Sequence, residues 1–168
     1  MRFAVVGLNH KTASLAHREA IALTADRTGP YLAQLADLDS VAEACLLSTC
    51  NRVELYIVAE GDLAESLAEA EAHLVAEGSA DPEIFTNHGY RLFGEEAVRH
   101  FFRVTASLDS MVLGEPQILG QVKAAAEVAR HAGTVGPFLD RVLSISLRAA
   151  KRVRTETAIG KMRVSVGS

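Results

Sequence analysis

The alternation of apolar and polar residues along the chain predicts a small β-sheet followed by helices. Apolar residues at every second position, or in short runs, predict strands at 2–7, 44–48 and 53–59, with a short fourth strand or hairpin over 84–92. Apolar residues spaced three and four apart predict helices at 15–23, 28–38, 63–77, 94–106, 117–132 and 138–157. The order β, α, β, β, α, β predicts an α+β fold, a ferredoxin-like antiparallel sheet with helices on one face, followed by a helical part.

The composition is typical of a soluble globular chain. Of 168 residues, 49% are hydrophobic and 23% are charged. No apolar run reaches the length of about eighteen residues that a membrane helix needs, and the N-terminal run is too short for a signal peptide. We therefore expect a cytoplasmic protein without a membrane partner. The sequence contains neither G-x-G-x-x-G nor G-x-x-x-x-G-K-[ST], so it has no dinucleotide or nucleoside-triphosphate fingerprint.

Charge is spread unevenly over the chain, whose formal net charge is −4. Residues 60–83 contain eight acidic residues and no Lys or Arg, whereas residues 138–168 contain seven basic residues and two acidic ones. Such asymmetry accompanies an anionic partner in some proteins and only solvated helix faces in others. Composition alone favours solvated faces over a nucleic-acid surface.

The two cysteines differ in their surroundings. Cys45 lies in the apolar stretch EACLL and is expected in the core, whereas Cys50 follows Thr49 and precedes Asn51 and Arg52 at the end of a strand. Polar and cationic neighbours stabilise a thiolate, so Cys50 is a candidate nucleophile. Five extended residues span roughly 16 Å, too far for a disulfide within one strand. Two thiols without clustered ligands also make a poor zinc site, so we predict no metal.

A histidine and a polar segment could complete a site around Cys50. His10 follows the first strand, where a sheet could bring it near the thiol, and His100 shares a helix face with apolar residues, as a packed core histidine would. Spacing alone leaves open which of them meets Cys50. The segment 107–123, SLDSMVLGEPQILGQVK, could line a polar pocket or could consist of turns and a helix start. Its polar candidates are Asp109, Ser110, Glu115, Gln117 and Gln121.

Four stretches in order closely resemble glutamyl-tRNA reductase, and specifically its N-terminal catalytic domain. They are GLNHKTAS (7–14), LLSTCNRVELY (46–56), LDSMVLGEPQILGQVKAA (108–125) and AAKRVRTETAIGK (149–161). The resemblance implies that Cys50 attacks the ester of glutamyl-tRNA(Glu) and holds the glutamyl group as a thioester. NADPH then reduces the thioester to glutamate-1-semialdehyde, the first committed step of the five-carbon route to 5-aminolevulinate and tetrapyrroles.

The resemblance also implies roles for other residues. His100 corresponds to the histidine proposed to assist the thiol. The implied substrate-binding residues are Thr49, Asn51, Arg52, Ser110, Glu115, Pro116, Gln117 and Gln121. The family usually has Gly where this chain has Ser107, a change that puts the backbone conformation there in question.

The domain organisation and partners follow from the same resemblance. Residues 1–93 are expected to form the α/β sandwich with the nucleophile, 94–157 the helical part of the same domain, and 158–168 the start of a linker to an NADPH-binding domain. The full-length enzyme is expected to be a homodimer, with glutamate-1-semialdehyde aminomutase as a possible partner. The basic C-terminal helix could meet tRNA phosphates. This chain alone would be limited to thioester formation and hydrolysis.

Two other functions compete with this interpretation. The chain could be a non-catalytic tRNA- or protein-binding regulatory module, against which the complete STCNR motif argues. It could also be a generic cysteine hydrolase, but the sequence lacks a local signature for one.

Overall fold

The sheet has the predicted ferredoxin-like arrangement. A computed structural model of the protein describes residues 2–161. Its strands are β1 (Phe3–Asn9), β2 (Val41–Ser48), β3 (Arg52–Ala59) and β4 (Tyr90–Phe93). They follow the order β2-β3-β1-β4, and all neighbouring strands are antiparallel, as in a βαββαβ unit.

Seven α-helices and one 3₁₀ helix accompany the sheet within the described residues. The first four are α1 (Leu15–Ile21), α2 (Ala25–Ala36), α3 (Leu63–Gly78) and α4 (Ile84–His88). The remaining ones are α5 (Glu95–Thr105), α6 (Gln117–His131), α7 (Pro137–Glu156) and the 3₁₀ helix Ala158–Lys161. Residues 162–168 of the predicted linker lie outside the described residues. No helix of the described part is long and apolar enough to cross a membrane.

The expectation of strand or hairpin over 84–92 is wrong for its first half. Ile84–His88 is helix α4, and only Tyr90–Phe93 pairs with β1. Asp81 starts this turn, because its side chain accepts from the backbone N–H of Glu83 at 2.8 Å and its carbonyl accepts from that of Ile84 at 3.0 Å. A single helical turn then buries two successive apolar side chains, Ile84 and Phe85.

Helices cover both faces of the sheet. Every residue of the central strand β1 is therefore buried, whichever face its side chain points to. On one face Phe3 packs against Phe138 of α7, and Tyr56 of β3 meets the edge of Phe101 of α5. On the other, α3 contacts β1 and β3. The helices of the βαββαβ unit thus lie on one face as predicted, and the later helices cover the second face. Polar side chains that β3 directs towards α5 and α7 are therefore buried as well.

A buried carboxylate joins α7 to the edge of the sheet. Both side-chain oxygens of Glu43 on β2 accept hydrogen bonds from backbone N–H groups where α7 begins, with Gly136 at 3.1 Å, Phe138 at 3.1 Å and Leu139 at 2.7 Å. These N–H groups have no partner within their own helix, and a negative charge there is favourable. Thr134 also bonds to both backbone groups of Ala44, so the helical part is continuous with the sheet.

Candidate active site

The turn between β2 and β3 presents Cys50 at the surface. Thr49 donates its backbone N–H to the carbonyl of Arg52 at 2.8 Å, and its side-chain oxygen accepts from the backbone N–H groups of Asn51 and Arg52 at 3.2 Å. These bonds close residues 49–52 into a tight turn, in which Cys50 is exposed. Cys45 is 4% exposed, and burial raises the pKa of its thiol to about 12. The two thiols therefore have the settings that the sequence predicts.

Helix α1 and the segment that precedes it pack against this turn. Nε of Arg18 donates to the backbone carbonyl of Cys50 at 2.9 Å, and its Nη1 donates to the carbonyl of Ala13 at 2.7 Å. The backbone N–H of His10 donates to the carbonyl of Asn51 at 2.9 Å. The backbone around Cys50 is thereby fixed by side-chain and main-chain bonds. Sequence reasoning missed Arg18, because one arginine on a short amphipathic helix resembles a solvated residue.

Asp109 connects three of the four motifs. It lies in the third motif and contacts Lys11 of the first and Arg52 of the second. Nη2 of Arg52 donates to Oδ2 of Asp109 at 3.1 Å and also to the backbone carbonyl of Asp109. Nζ of Lys11 lies 3.1 Å from Oδ1 of the same carboxylate. Burial raises the pKa of Asp109, but its bonds to Lys11 and Arg52 outweigh burial and lower it. The ionised carboxylate ties the segment after α5 to Lys11, just after β1, and to Arg52 of β3.

Arg52 is buried and contacts carboxylates of the protein itself, which limits the N–H groups that it could offer to a substrate. Its side chain is 2% exposed, and Nη1 donates to Oε1 of Glu54 at 2.9 Å while Nη2 bonds to Asp109. Both terminal nitrogens therefore contact carboxylates of the protein itself. A substrate carboxylate would need the remaining N–H groups of the guanidinium, or a movement of Asp109, to bind Arg52 directly. That direct contact stays a prediction.

Glu54 is a carboxylate with no exposed surface, surrounded by four donors. It accepts from Nη1 of Arg52, from the hydroxyls of Tyr56 and Tyr90, and from Nε2 of His100 at 2.6 Å. Burial raises the pKa of Glu54, but hydrogen bonds and charge from His100, Arg52 and Tyr56 outweigh burial and lower it to about 2. An ionised carboxylate only accepts, so Nε2 of His100 carries a proton and donates it to Glu54.

The remaining predicted substrate residues are Ser110, Glu115, Pro116, Gln117 and Gln121. The first two are half-buried, and the next two are exposed where α6 begins. Gln121 lines a cavity of about 160 Å³ together with Ser48, at the end of β2 that leads to Cys50. Within residues 2–161, none of these side chains, nor His100, forms a hydrogen bond to the Cys50 thiol. Their roles therefore stay predictions.

Ser107, the departure from the usual family residue, has a backbone conformation that suits glycine. Its φ is 61°, in the left-handed region that costs residues with a Cβ roughly 1–2 kcal/mol. Its buried hydroxyl donates to the carbonyl of Glu115, and its own carbonyl accepts from the N–H of Gly114 at 3.2 Å. These bonds close the segment from Ser107 to Glu115 at its base and offset part of that cost.

Sequence reasoning missed Glu54 and Tyr90 as well as Arg18. A signal for Glu54 was present, because Arg52, Glu54 and Tyr56 alternate along β3 and so point to one face of the sheet. Alternation alone does not distinguish a solvated face from a covered one. The position of α5 over this face, which spacing does not reveal, buries Glu54.

The fold and the site together define a class of protein: an α+β domain that exposes one cysteine beside a buried arginine–glutamate–histidine network. Residues 6–157 match the family described as "Glutamyl-tRNAGlu reductase, N-terminal domain". The chain therefore belongs to this family, and the resemblance drawn from the four motifs is confirmed.

Individual relatives agree with this assignment. The glutamyl-tRNA reductase of Syntrophotalea carbinolica is 46% identical over 166 residues, which is 99% of this chain and 37% of that protein. The protein of the same name from Pseudomonas aeruginosa is 47% identical over 171 residues, 99% of this chain and 39% of that protein. The solved structure of glutamyl-tRNA reductase from Methanopyrus kandleri matches with a TM-score of 0.80 at 31% identity, covering 99% of this chain and 37% of that one. The chain thus spans less than two fifths of the length of these relatives.

Proposed function

We propose that this chain is the catalytic domain of a glutamyl-tRNA reductase and that Cys50 is its nucleophile. The exposure of Cys50 in a turn held by Thr49 and Arg18 carries the proposal. The sulfur attacks the ester carbonyl of glutamyl-tRNA(Glu): the Sγ–C bond forms, the C–O bond to the ribose breaks, and the thiol proton ends on the ribose oxygen. The glutamyl group remains on Cys50 as a thioester, a reactive acyl carrier.

We propose that NADPH reduces this thioester to glutamate-1-semialdehyde in tetrapyrrole biosynthesis. The residues of this chain do not fit a dinucleotide. The sequence has no glycine-rich fingerprint, and the described sheet is antiparallel, unlike the parallel sheets on which dinucleotides bind. The proposed NADPH site therefore lies outside these 168 residues.

His100 is proposed to assist within the same site, and the family's substrate-binding residues are proposed to hold the glutamyl group. The Arg52–Asp109 ion pair supports this, because Asp109 directly precedes Ser110 and so fixes its backbone beside β3. The bond from Nε2 of His100 to Glu54 fixes the position of the imidazole ring in this site. The proposed substrate set is Thr49, Asn51, Arg52, Ser110, Glu115, Pro116, Gln117 and Gln121.

The proposed partners follow from the family rather than from contacts in the structure. Exposed Arg148, Lys151 and Arg152 on α7 suit tRNA phosphates. A homodimer of the full-length enzyme, an association with glutamate-1-semialdehyde aminomutase and a cytoplasmic location belong to the same proposal. So do the boundaries of a catalytic domain ending at residue 157 and a linker at 158–168.

Product analysis of the isolated chain tests the proposal. Acyl transfer needs Cys50, a proton acceptor and a bound glutamyl group, whereas reduction needs NADPH. Without a hydride donor in place, water is the available acceptor for the thioester. The chain should therefore release free glutamate from glutamyl-tRNA slowly, with no semialdehyde even when NADPH is added, and Cys50→Ser should release none.

Two results would contradict the proposal. Semialdehyde from this chain would mean that the nicotinamide site lies within residues 1–168. Binding of glutamyl-tRNA without any release of glutamate would favour a non-catalytic binding module.

A further inference from the structure

Tyr90 bonds to Glu54 across the central strand of the sheet. Gly7 of β1 pairs with Glu54 of β3 on one side and with Tyr90 of β4 on the other. Directly paired residues of antiparallel strands direct their side chains to the same face, so these three positions form one row. Two strand spacings, about 10 Å in all, separate β3 from β4. The hydroxyl of Tyr90 nevertheless donates to Oε1 of Glu54.

Glycine at position 7 leaves the space for this contact. A Cβ there would lie 2.7 Å from Cγ of Glu54, too close for two carbon atoms, and 3.0 Å from the hydroxyl oxygen of Tyr90. The missing side chain of Gly7 thus lets a tyrosine of β4 bond to a carboxylate of β3. Burial and the charge of Glu54 raise the pKa of Tyr90 well above its usual range, so the hydroxyl keeps its proton and acts as a donor.

Tyr90 and His100 contact the same oxygen of Glu54. Oε1 accepts from the Tyr90 hydroxyl, from Nε2 of His100 at 2.6 Å and from Nη1 of Arg52 at 2.9 Å, whereas the Tyr56 hydroxyl donates to Oε2. The ring of Tyr90 also meets the ring of His100 edge-on, with 5.5 Å between their centroids. Tyr90 therefore restricts His100 in two ways: its hydroxyl fixes the acceptor, and its ring packs against the imidazole.

We propose that Tyr90 is a positioning residue that sets the orientation of the His100 imidazole, an inference that rests on the proposed assistance of His100 in acyl transfer to Cys50. Removing the Tyr90 hydroxyl leaves Oε1 of Glu54 with two donors instead of three, so the carboxylate settles differently. The imidazole bonded to that oxygen then moves with it. A small displacement of an assisting group lowers the rate of reaction. Substrate binding is unaffected, because Tyr90 acts only through Glu54 and His100.

The rate at which Cys50 gains a glutamyl group in a single turnover, followed over a range of glutamyl-tRNA concentrations, tests this role. We expect Tyr90→Phe to lower the maximal rate about tenfold and to leave the half-saturating concentration unchanged. In a chain that already carries His100→Asn, the same change should cause no further loss, because Tyr90 acts through the imidazole. A full additional loss in the double variant, or a Tyr90→Phe chain as fast as the wild type, overturns the inference.

The other two tyrosines of the chain separate positioning from folding. Tyr31→Phe removes a buried hydroxyl that donates to the carbonyl of Ala70 at 3.2 Å, and should leave the rate of transfer unchanged. Tyr56→Phe removes the donor to Oε2 of Glu54, so it weakens the same carboxylate without changing the oxygen that His100 shares. It should cost less activity than Tyr90→Phe. An equal loss of activity in these two variants means that Tyr90 only stabilises Glu54, and overturns the inference.

The nitrogen resonances of the His100 ring report its orientation without any turnover. We expect them to shift in Tyr90→Phe and to keep their wild-type positions in Tyr31→Phe; unchanged resonances in Tyr90→Phe overturn the inference. A wild-type chain that never forms the glutamyl adduct overturns the proposed function, and the resonances then decide on Tyr90 alone. Adduct formation at the wild-type rate in His100→Asn overturns the inference while Cys50 remains the nucleophile.

Discussion

Nε2 of His100 lies 2.6 Å from Oε1 of Glu54, a carboxylate that has no contact with solvent. Glu54 stands two residues after Arg52 on β3, and both side chains point to the face that α5 covers. His100 is thus linked through Glu54 to Arg52, and through Arg52 to Asp109. The parts of the site form one connected network rather than independent contacts.

The stability of the fold should depend on pH through Glu54. Its pKa falls from an ordinary value of 4.5 to about 2 in the folded chain, so the stabilisation is complete above pH 4.5 and is lost as pH falls towards 2. We expect Glu54→Gln to be less stable by about 3 kcal/mol at pH 7 and to lose less stability on acidification. Urea unfolding from pH 7 to pH 3 measures both. The exposed carboxylate variant Glu60→Gln is the control, and curves for Glu54→Gln and wild type that stay parallel would contradict the prediction.

Arg52→Lys should not be a mild change. Lysine keeps the charge but cannot bond to Glu54 and Asp109 at once in the planar geometry of a guanidinium. We expect kcat/KM for glutamyl-tRNA, measured in the full-length enzyme, to fall by the equivalent of about 1–3 kcal/mol. Asp109→Asn shows how Arg52 acts: a comparable loss, not increased in the double variant, indicates that Arg52 works by holding Asp109. Unchanged kcat/KM in Arg52→Lys means that Arg52 neither anchors substrate nor orders the site.

Ser107 offers a matched pair of variants for backbone strain. Ser107→Gly removes both the Cβ that φ 61° disfavours and the hydroxyl bonded to Glu115, so we expect stability within about 0.5 kcal/mol of the wild type. Ser107→Ala keeps the strain and loses the bond, and should be about 1 kcal/mol less stable than Ser107→Gly. Chemical denaturation gives both values. An alanine variant as stable as the glycine variant would show that the conformation costs nothing here.

Binding of tRNA should weaken steeply with salt if α7 meets phosphates. Reversing Arg148, Lys151 and Arg152 to glutamate should lower the slope of log affinity against log salt by about one unit for each phosphate that the helix no longer neutralises. Arg27→Glu is the control, because Arg27 pairs with Glu77 at the acidic helix α3. Titrations of labelled tRNA at several salt concentrations measure the slope. An affinity that does not change with salt would mean that the basic side chains of α7 are only solvated.

Local sequence patterns predicted much of this fold. The strands of the sheet and the long helices follow from apolar periodicity, and the polar neighbours of Cys50 predicted an exposed turn. The prediction for Ile84–His88 is wrong because five apolar and polar residues fit a strand and a single helical turn equally well. The turn that Asp81 starts decides between them.

The partners of the site residues could not be predicted in the same way. Arg18 meets the carbonyl of Cys50 across 32 positions of sequence, and Arg52 meets Asp109 across 57. Such contacts depend on how helices pack on the sheet, which periodicity along the chain does not determine. The burial of Glu54 depends on α5 in the same way.

The most direct test of the account is the mass of the Cys50 peptide after incubation with glutamyl-tRNA and a rapid acid quench. We predict that this peptide gains one glutamyl group, that hydroxylamine removes it, and that Cys45→Ser forms the adduct as the wild type does. Cys50→Ser should form none while keeping its fold. A glutamyl group on Cys45, or equal loss of the adduct in both well-folded variants, would contradict the assignment of Cys50 as the nucleophile.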